Sequence, residues 1–167
     1  ILEEKFPVRS IDALNGVKWA GRWQKLEVSG RTLILDATHN PEGVAALDKS
    51  LADLIRSEGR RPIIIAGTLG EDRAQSLMAV VERHARAIYL VEPKQDRATS
   101  CAFMQSCLER EAIATQVEAL FPAANVCAAG EVGDTIVLTG SIYLIGEVLQ
   151  QIEGLNAKEG SGLQDKI

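Results

Sequence analysis

Two short runs gather side chains able to hold a charged ligand. The first, Asp36-Ala37-Thr38-His39-Asn40-Pro41-Glu42-Gly43, places a carboxylate, a hydroxyl, an imidazole and an amide in one turn. The second is Thr139-Gly140-Ser141. Each follows an apolar, strand-like stretch and precedes a segment of helical periodicity, so each reads as a strand turning into a helix N-terminus. There the first backbone N–H groups lack intrahelical partners and the helix dipole is positive, which suits the sugar and phosphates of a nucleotide. Gly67 and Gly70, after the third strand, mark a corner of the same kind.

Each side chain has a functional and a plainer reading. Asp36 ends an apolar strand and suits a ribose hydroxyl; an Asx turn is the alternative. His39, one of two histidines, can donate to phosphate oxygens or brace its own loop. Asn40 is a helix cap before Pro41, and capping does not preclude ligand contact. Ser141, after a glycine, can aim its hydroxyl at an anion or simply cap the helix behind it. Arg22, between Trp19 and Trp23, can fork onto a phosphate or stack on a ring. His84 falls near a helix end, where a cation suits the dipole, and reads as structural.

Several chemistries are excluded by what is missing. There is no G-x-x-x-x-G-K-[ST] loop, no G-x-G-x-x-G after a strand, and no cluster of carboxylates or histidines dense enough for magnesium or zinc. The run Gly140 to Gly146 is not G-x-S-x-G, so a hydrolase nucleophile elbow is absent.

The elements that must position these residues alternate. Strands are expected at Gln24 to Val28 and Thr32 to Ala37, joined through Ser29-Gly30, then at Pro62 to Ala66, Ala87 to Val91, near Thr115 to Val117, and at Asp134 to Thr139. Helices are expected from Pro41 to Ser57, after an Asp72 cap with Gln75 three residues on, from Thr99 to Glu111, from Pro122 to Ala129, and after Ser141. This alternation predicts an α/β, three-layer Rossmann-like domain, a mostly parallel sheet of about six strands with helices on both faces. Residues 1–18 read as a linker or the trailing end of something upstream, 19–153 as the domain, and 154–167 as a disordered polar tail.

With 167 residues the chain supports one full core, and 46% hydrophobic with 25% charged residues is ordinary for a globular protein. A net charge of −5 leaves no basic footprint for nucleic acid or anionic membrane. No signal peptide or membrane-spanning run is evident, so a cytoplasmic location is expected. The cysteines, Cys101, Cys107 and Cys127, are odd in number and lack C-x-x-C spacing, which argues for small buried hydrophobes rather than a disulfide or zinc framework.

The runs Trp19-Ala20-Gly21-Arg22, Ile34 to Pro41 and Thr139 to Tyr143 together resemble the C-terminal domain of folylpolyglutamate synthase/dihydrofolate synthase, in the Mur ligase superfamily. That family carries W-P-G-R, then L-D-G-A-H-N-P, then G-S-x-Y before the last helix. Pro93 through Arg97-Ala98 is similar to its P-x-x-x-R-A segment. The resemblance extends from about Trp19 to Gln151. It implies an ATP-dependent amide ligase, in which a carboxylate is activated as an acyl phosphate and attacked by the amino group of glutamate, with folate or dihydropteroate as acceptor. It implies a separate N-terminal ATPase domain with the P-loop and Mg2+ ligands, closure of this domain over it, and no activity from this domain alone.

By the same resemblance Arg22 would contact the ATP phosphates and Asp36 the ribose. Asn40 would lie beside the nucleotide, His39 beside the reacting phosphoryl group as the candidate catalytic residue, and Ser141 on the incoming L-glutamate. Ala20 replaces the family's Pro, Ala37 its Gly and Thr38 its Ala. The loop Gly67 to Arg73 lacks the family's lysine, so it stays outside the assigned site. Two alternatives remain open: a free-standing nucleotide-binding module, or the domain of a ligase joining an amino acid to a murein precursor. The W-x-G-R and H-N-P pair favours folate.

Overall fold

The computed structural model describes residues 22–154. The expectations for 1–18, for Trp19 to Gly21 and for the tail beyond Gly154 lie outside them. Strand β1 (Gln24–Val28) and strand β2 (Arg31–Asp36) form an antiparallel hairpin. The turn between them has positive φ at both Ser29 (51°) and Gly30 (70°), the backbone that matches the twist of a two-residue hairpin. Helix α1 (Pro41–Glu58) follows, then β3 (Ile63–Gly67), α2 (Glu71–His84), β4 (Ala87–Val91), the short α3 (Cys101–Ser106), β5 (Ile113–Thr115), α4 (Val117–Leu120), β6 (Thr135–Gly140) and α5 (Ile142–Glu153).

The sheet has six strands in the order β1-β2-β6-β3-β4-β5, all parallel except β1. The expected α/β fold is observed. The last strand of the chain is thus inserted between the second and third. Because side chains alternate across a strand, Ile34, Ile64, Ala66, Ile88, Leu90 and Val137 meet α1, α2 and α3 on one face. Leu33, Leu35, Ile63, Ile65, Ile136 and Leu138 meet α4 and α5 on the other. Every residue of β3 and β6 is buried, as the unbroken apolar runs require of strands covered on both faces.

Four expectations are corrected. Helix α2 is capped by Gly70 (φ 89°), not Asp72, and has no side-chain cap. Gly70 N–H is held on Arg97 O and Leu69 bridges Ala98, so the chain leaves its turn two residues early. Helix α3 covers only Cys101–Ser106 with Ser100 as cap. Beyond it the backbone is captured by side chains, Glu109 and Arg110 N–H by Glu82 and Ala112 N–H by Gln105, in place of helical carbonyls. Strand β5 pairs at Ile113–Thr115, upstream of its expected position. No helix spans Pro122 to Ala129; the helical turn is Val117–Leu120, and Ala128 N–H folds back on Leu120 O.

Two glycines fix the seam between β3 and β6. Ser141 N–H donates to Gly67 O at 2.8 Å. At Gly140 (φ 110°) a Cβ would stand 2.2 Å from that same Gly67 O, and at Gly67 a Cβ would stand 2.3 Å from Val91 O. Both obstacles are backbone and cannot rotate away. At the opposite edge Asp134 accepts from Glu131 N–H, Arg86 and Arg60, and Asp48 on α1 accepts from His84 and Arg83 on α2. Among the described residues no helix is long and apolar enough to cross a membrane.

Gly140→Ala is expected to destabilise the protein by about 3 kcal/mol or more, read from urea unfolding. The Glu131 amide, followed by the Arg86 and Arg60 guanidinium groups, holds the Asp134 carboxyl below the usual carboxylate range; His84 and then Arg83 do the same for Asp48. The unfolded chain therefore takes up protons first on acidification. Stability is full above the unfolded carboxylate pKa of about 3.9 and falls as pH drops through the depressed folded values. Asp134→Asn should flatten that acid decline; an equal decline in the variant assigns it to other groups.

Candidate functional site at the carboxyl ends of β2, β6 and β3

The inserted strand brings three distant segments together. In the register of the sheet Asp36 lies level with Thr139 and Gly67 with Gly140. The turns that follow, 37–41, 68–70 and 141, therefore emerge side by side. Two adjoining clefts open there. One, of about 200 Å³, is lined by Thr38, His39, Thr68, Arg73, Ser141 and Tyr143 among others. The second, of about 220 Å³, lies between the starts of α1 and α2 and includes Asn40, Asp72 and Ser76. Thr38, His39 and Arg73 line both.

The starts of α1, α2 and α5 converge on these clefts. In α1, Asn40 Oδ1 accepts from Gly43 N–H at 2.7 Å. In α5, Ser141 Oγ accepts from Tyr143 N–H at 3.1 Å while Ser141 is only 5% exposed. Helix α2 alone lacks a side-chain acceptor at its start, which leaves first-turn amides available to an anion. Its first turn carries Arg73, exposed, whose guanidinium has no hydrogen-bond partner among the described residues. Behind it the loop is fixed by a buried hydrogen bond from Thr68 Oγ1 to Thr99 Oγ1 (2.9 Å).

Of the residues anticipated from sequence, the structure places His39, Asn40 and Ser141 at the clefts. Arg22 is exposed, and neither it nor Asp36 lines either cleft. Asp36 stands behind Thr38, with Oδ1 accepting from Thr38 Oγ1 (2.5 Å) and Oδ2 from Trp23 N–H (3.1 Å). Thr38, counted in the motif but given no role, and Arg73, in the loop left outside the assigned site, are the residues the structure adds. The signal for Arg73 was its place in a glycine-bounded loop after an apolar strand, which became decisive only when β3 and β6 were seen as neighbours.

A larger hollow, of about 650 Å³, lies past the ends of β4 and β5. Most of its charged groups already have partners, though Glu147 Oε2 is buried without a hydrogen-bond partner among the described residues. Lys94 pairs with Glu118, Glu147 accepts from Lys94 N–H, and Glu92 accepts from Cys101 N–H. Burial, and then the Glu92 carboxylate, push the Cys101 thiol up to about 11, the opposite of an activated nucleophile. No group of three His, Cys, Asp or Glu among the described residues could hold a metal ion.

Residues 21–142 match the family described as Mur ligase, glutamate ligase domain. The chain belongs to that family. None of the curated proteins compared with it matches. The folylpolyglutamate synthase/dihydrofolate synthase of Yersinia pestis, solved with AMPPNP and Mn, superimposes with TM-score 0.64 at 21% identity, over 81% of this chain and 32% of that one. Thermotoga maritima folylpolyglutamate synthase gives 0.63 at 21%, over 84% and 32%. A further structure of a bifunctional folylpolyglutamate synthase/dihydrofolate synthase, solved with Mn, AMPPNP and L-glutamate, gives 0.61 at 19%, over 77% and 30%. This glutamate ligase domain spans about a third of the length of those structures.

Asn40→Ala removes the acceptor for Gly43 N–H and should cost about 1 kcal/mol, measured as a lowered thermal unfolding temperature.

Proposed function

We propose that this chain is the closing domain of an ATP-dependent carboxylate–amine ligase that adds L-glutamate to folate or dihydropteroate. The convergence of three helix starts on clefts sharing Thr38, His39 and Arg73 carries this reading. The donors present are those a polyphosphate takes: uncapped amides on α2, an unpaired guanidinium and an exposed imidazole. ATP supplies the phosphoryl group that activates the acceptor carboxylate.

The roles assigned in this reading are as follows. Arg73 and Arg22 neutralise phosphate charge, and His39, exposed on the turn, faces the reacting phosphoryl group. Asn40 holds its turn against the nucleotide. Asp36 has lone pairs left beyond its two internal hydrogen bonds and takes a ribose hydroxyl. Ser141 has used its oxygen as an acceptor, but its proton is free to donate to the carboxylate of glutamate. The apolar edge of Ile142 and the Tyr143 ring, exposed beside the cleft, limits water there when the domain closes. In this reading the metal and the P-loop are assigned to a separate ATPase domain, and this chain alone turns over no ATP.

The test uses the complete polypeptide with folate or dihydropteroate as acceptor. Arg73→Ala and His39→Ala should each raise the KM for ATP or lower kcat by about tenfold or more, the loss of a charge-assisted contact. Ser141→Ala should raise the KM for glutamate. Unchanged ATP kinetics in both of the first two variants would overturn the nucleotide reading, and an effect of Ser141→Ala on ATP alone would overturn its assignment to glutamate.

A further inference from the structure

Asp36 holds two distant backbone segments at once. Its Oδ2 accepts from Trp23 N–H across thirteen residues of chain, and its Oδ1 accepts from Thr38 Oγ1 two residues on. Trp23 is a non-glycine residue at φ 49°, a conformation that persists only where its surroundings over-determine it. Two contacts do so: the partly buried Trp23 side chain packs against the core beneath α1 and α2, and its N–H is held by Asp36. From the next residue the chain is committed to the sheet, Gln24 pairing with Leu35. The direction in which Arg22 leaves the sheet is therefore set at Trp23, and Trp23 is set by Asp36.

Thr38 completes the arrangement from the cleft side. It is 4% exposed and lines both clefts. Its hydroxyl is turned to Asp36, and its methyl faces the first turn of α1, where a Cβ at Gly43 would come within 3.6 Å of it. A threonine does both with one rotamer, since its two branches are fixed relative to each other. A chain of contacts thus runs from Arg22 through the Trp23 amide and the Asp36 carboxylate to the wall of the clefts.

We propose that Thr38 is a positioning residue, which holds the Asp36 carboxylate on the Trp23 amide and so fixes the approach of Arg22 to the nucleotide. The proposal rests on the nucleotide reading above, and adds to it a residue whose hydroxyl serves the ligand through Asp36 and Arg22. Alanine at this position would lack the hydroxyl and leave Asp36 Oδ1 without that donor. Valine keeps the shape and the methyl contact but loses the hydrogen bond, whereas serine keeps the hydrogen bond and loses the methyl.

In the complete polypeptide, Thr38→Val should raise the KM for ATP about tenfold, with the KM for glutamate changed less than about twofold, and Thr38→Ser should restore the ATP value. In an Arg22→Ala background the Thr38→Val penalty should largely vanish, because the group it positions is gone. Additive penalties in the double variant would overturn the positioning role. Hydrogen exchange separates this from the underlying reading: the Trp23 amide should exchange faster in both Thr38→Val and Asp36→Asn. Unchanged Trp23 exchange in Thr38→Val removes the clasp itself. Faster exchange with ATP kinetics indifferent to Arg22→Ala leaves the clasp as architecture and overturns the role proposed for Thr38, whereas the nucleotide reading falls only if Arg73→Ala and His39→Ala leave ATP kinetics unchanged.

Discussion

The structure hinges on one close approach, that of the last strand to the third. Gly140 presses against the carbonyl of Gly67, and the next amide, of Ser141, bonds to that carbonyl. Neither position has room for a side chain, because what stands in the way is backbone that the ladder itself holds. This contact lets β6 slide between β2 and β3 with its end level with theirs. Everything at the candidate site follows from that levelness. Without it the turns after the three strands would emerge at different heights, and Thr38, Thr68 and Ser141 would not share a cleft.

The site is built from helix starts rather than from a dense set of charged groups. Asn40 and Ser141 satisfy amides at two of the three starts, and the third is open and carries the unpaired Arg73. That open start presents backbone donors beside the Arg73 guanidinium, with the Glu71 and Asp72 carboxylates in the same turn. This domain covers about a third of the length of the structures it resembles. Asp36 shows how closely architecture and chemistry are joined here. The carboxylate that the motif suggests for a ligand is already engaged by Trp23 and Thr38, so its orientation is decided before any ligand arrives.

Much of this was legible in the residues. The hairpin at Ser29-Gly30, the Asn40-Pro41 helix start, the buried run of Ile63 to Ile65 and the cap at Ser141 each combine a local rule with a clear apolar period, and each is observed. Three of the misreadings share one cause. At Asp72, beyond Ser106 and from Pro122 to Ala129 the backbone hydrogen bonds are met by partners far away in sequence: Arg97 O for Gly70, Glu82 for Glu109 and Arg110, and Leu120 O for Ala128. A local pattern carries no information about such partners. The side of the sheet on which each helix packs was likewise beyond it.

The sequence by itself determined the element types, the mostly parallel α/β class and the turn that carries His39 and Asn40, because these depend on periodicity, capping and steric rules acting over a few residues. It also contained the motifs that set the family. Tertiary structure alone decided that β6 enters the middle of the sheet, that Arg73 joins His39 at the clefts, and that Asp36 holds the Trp23 amide. Those outcomes depend on contacts between residues thirteen to about a hundred positions apart, and such contacts exist only once the sheet has closed around its last strand.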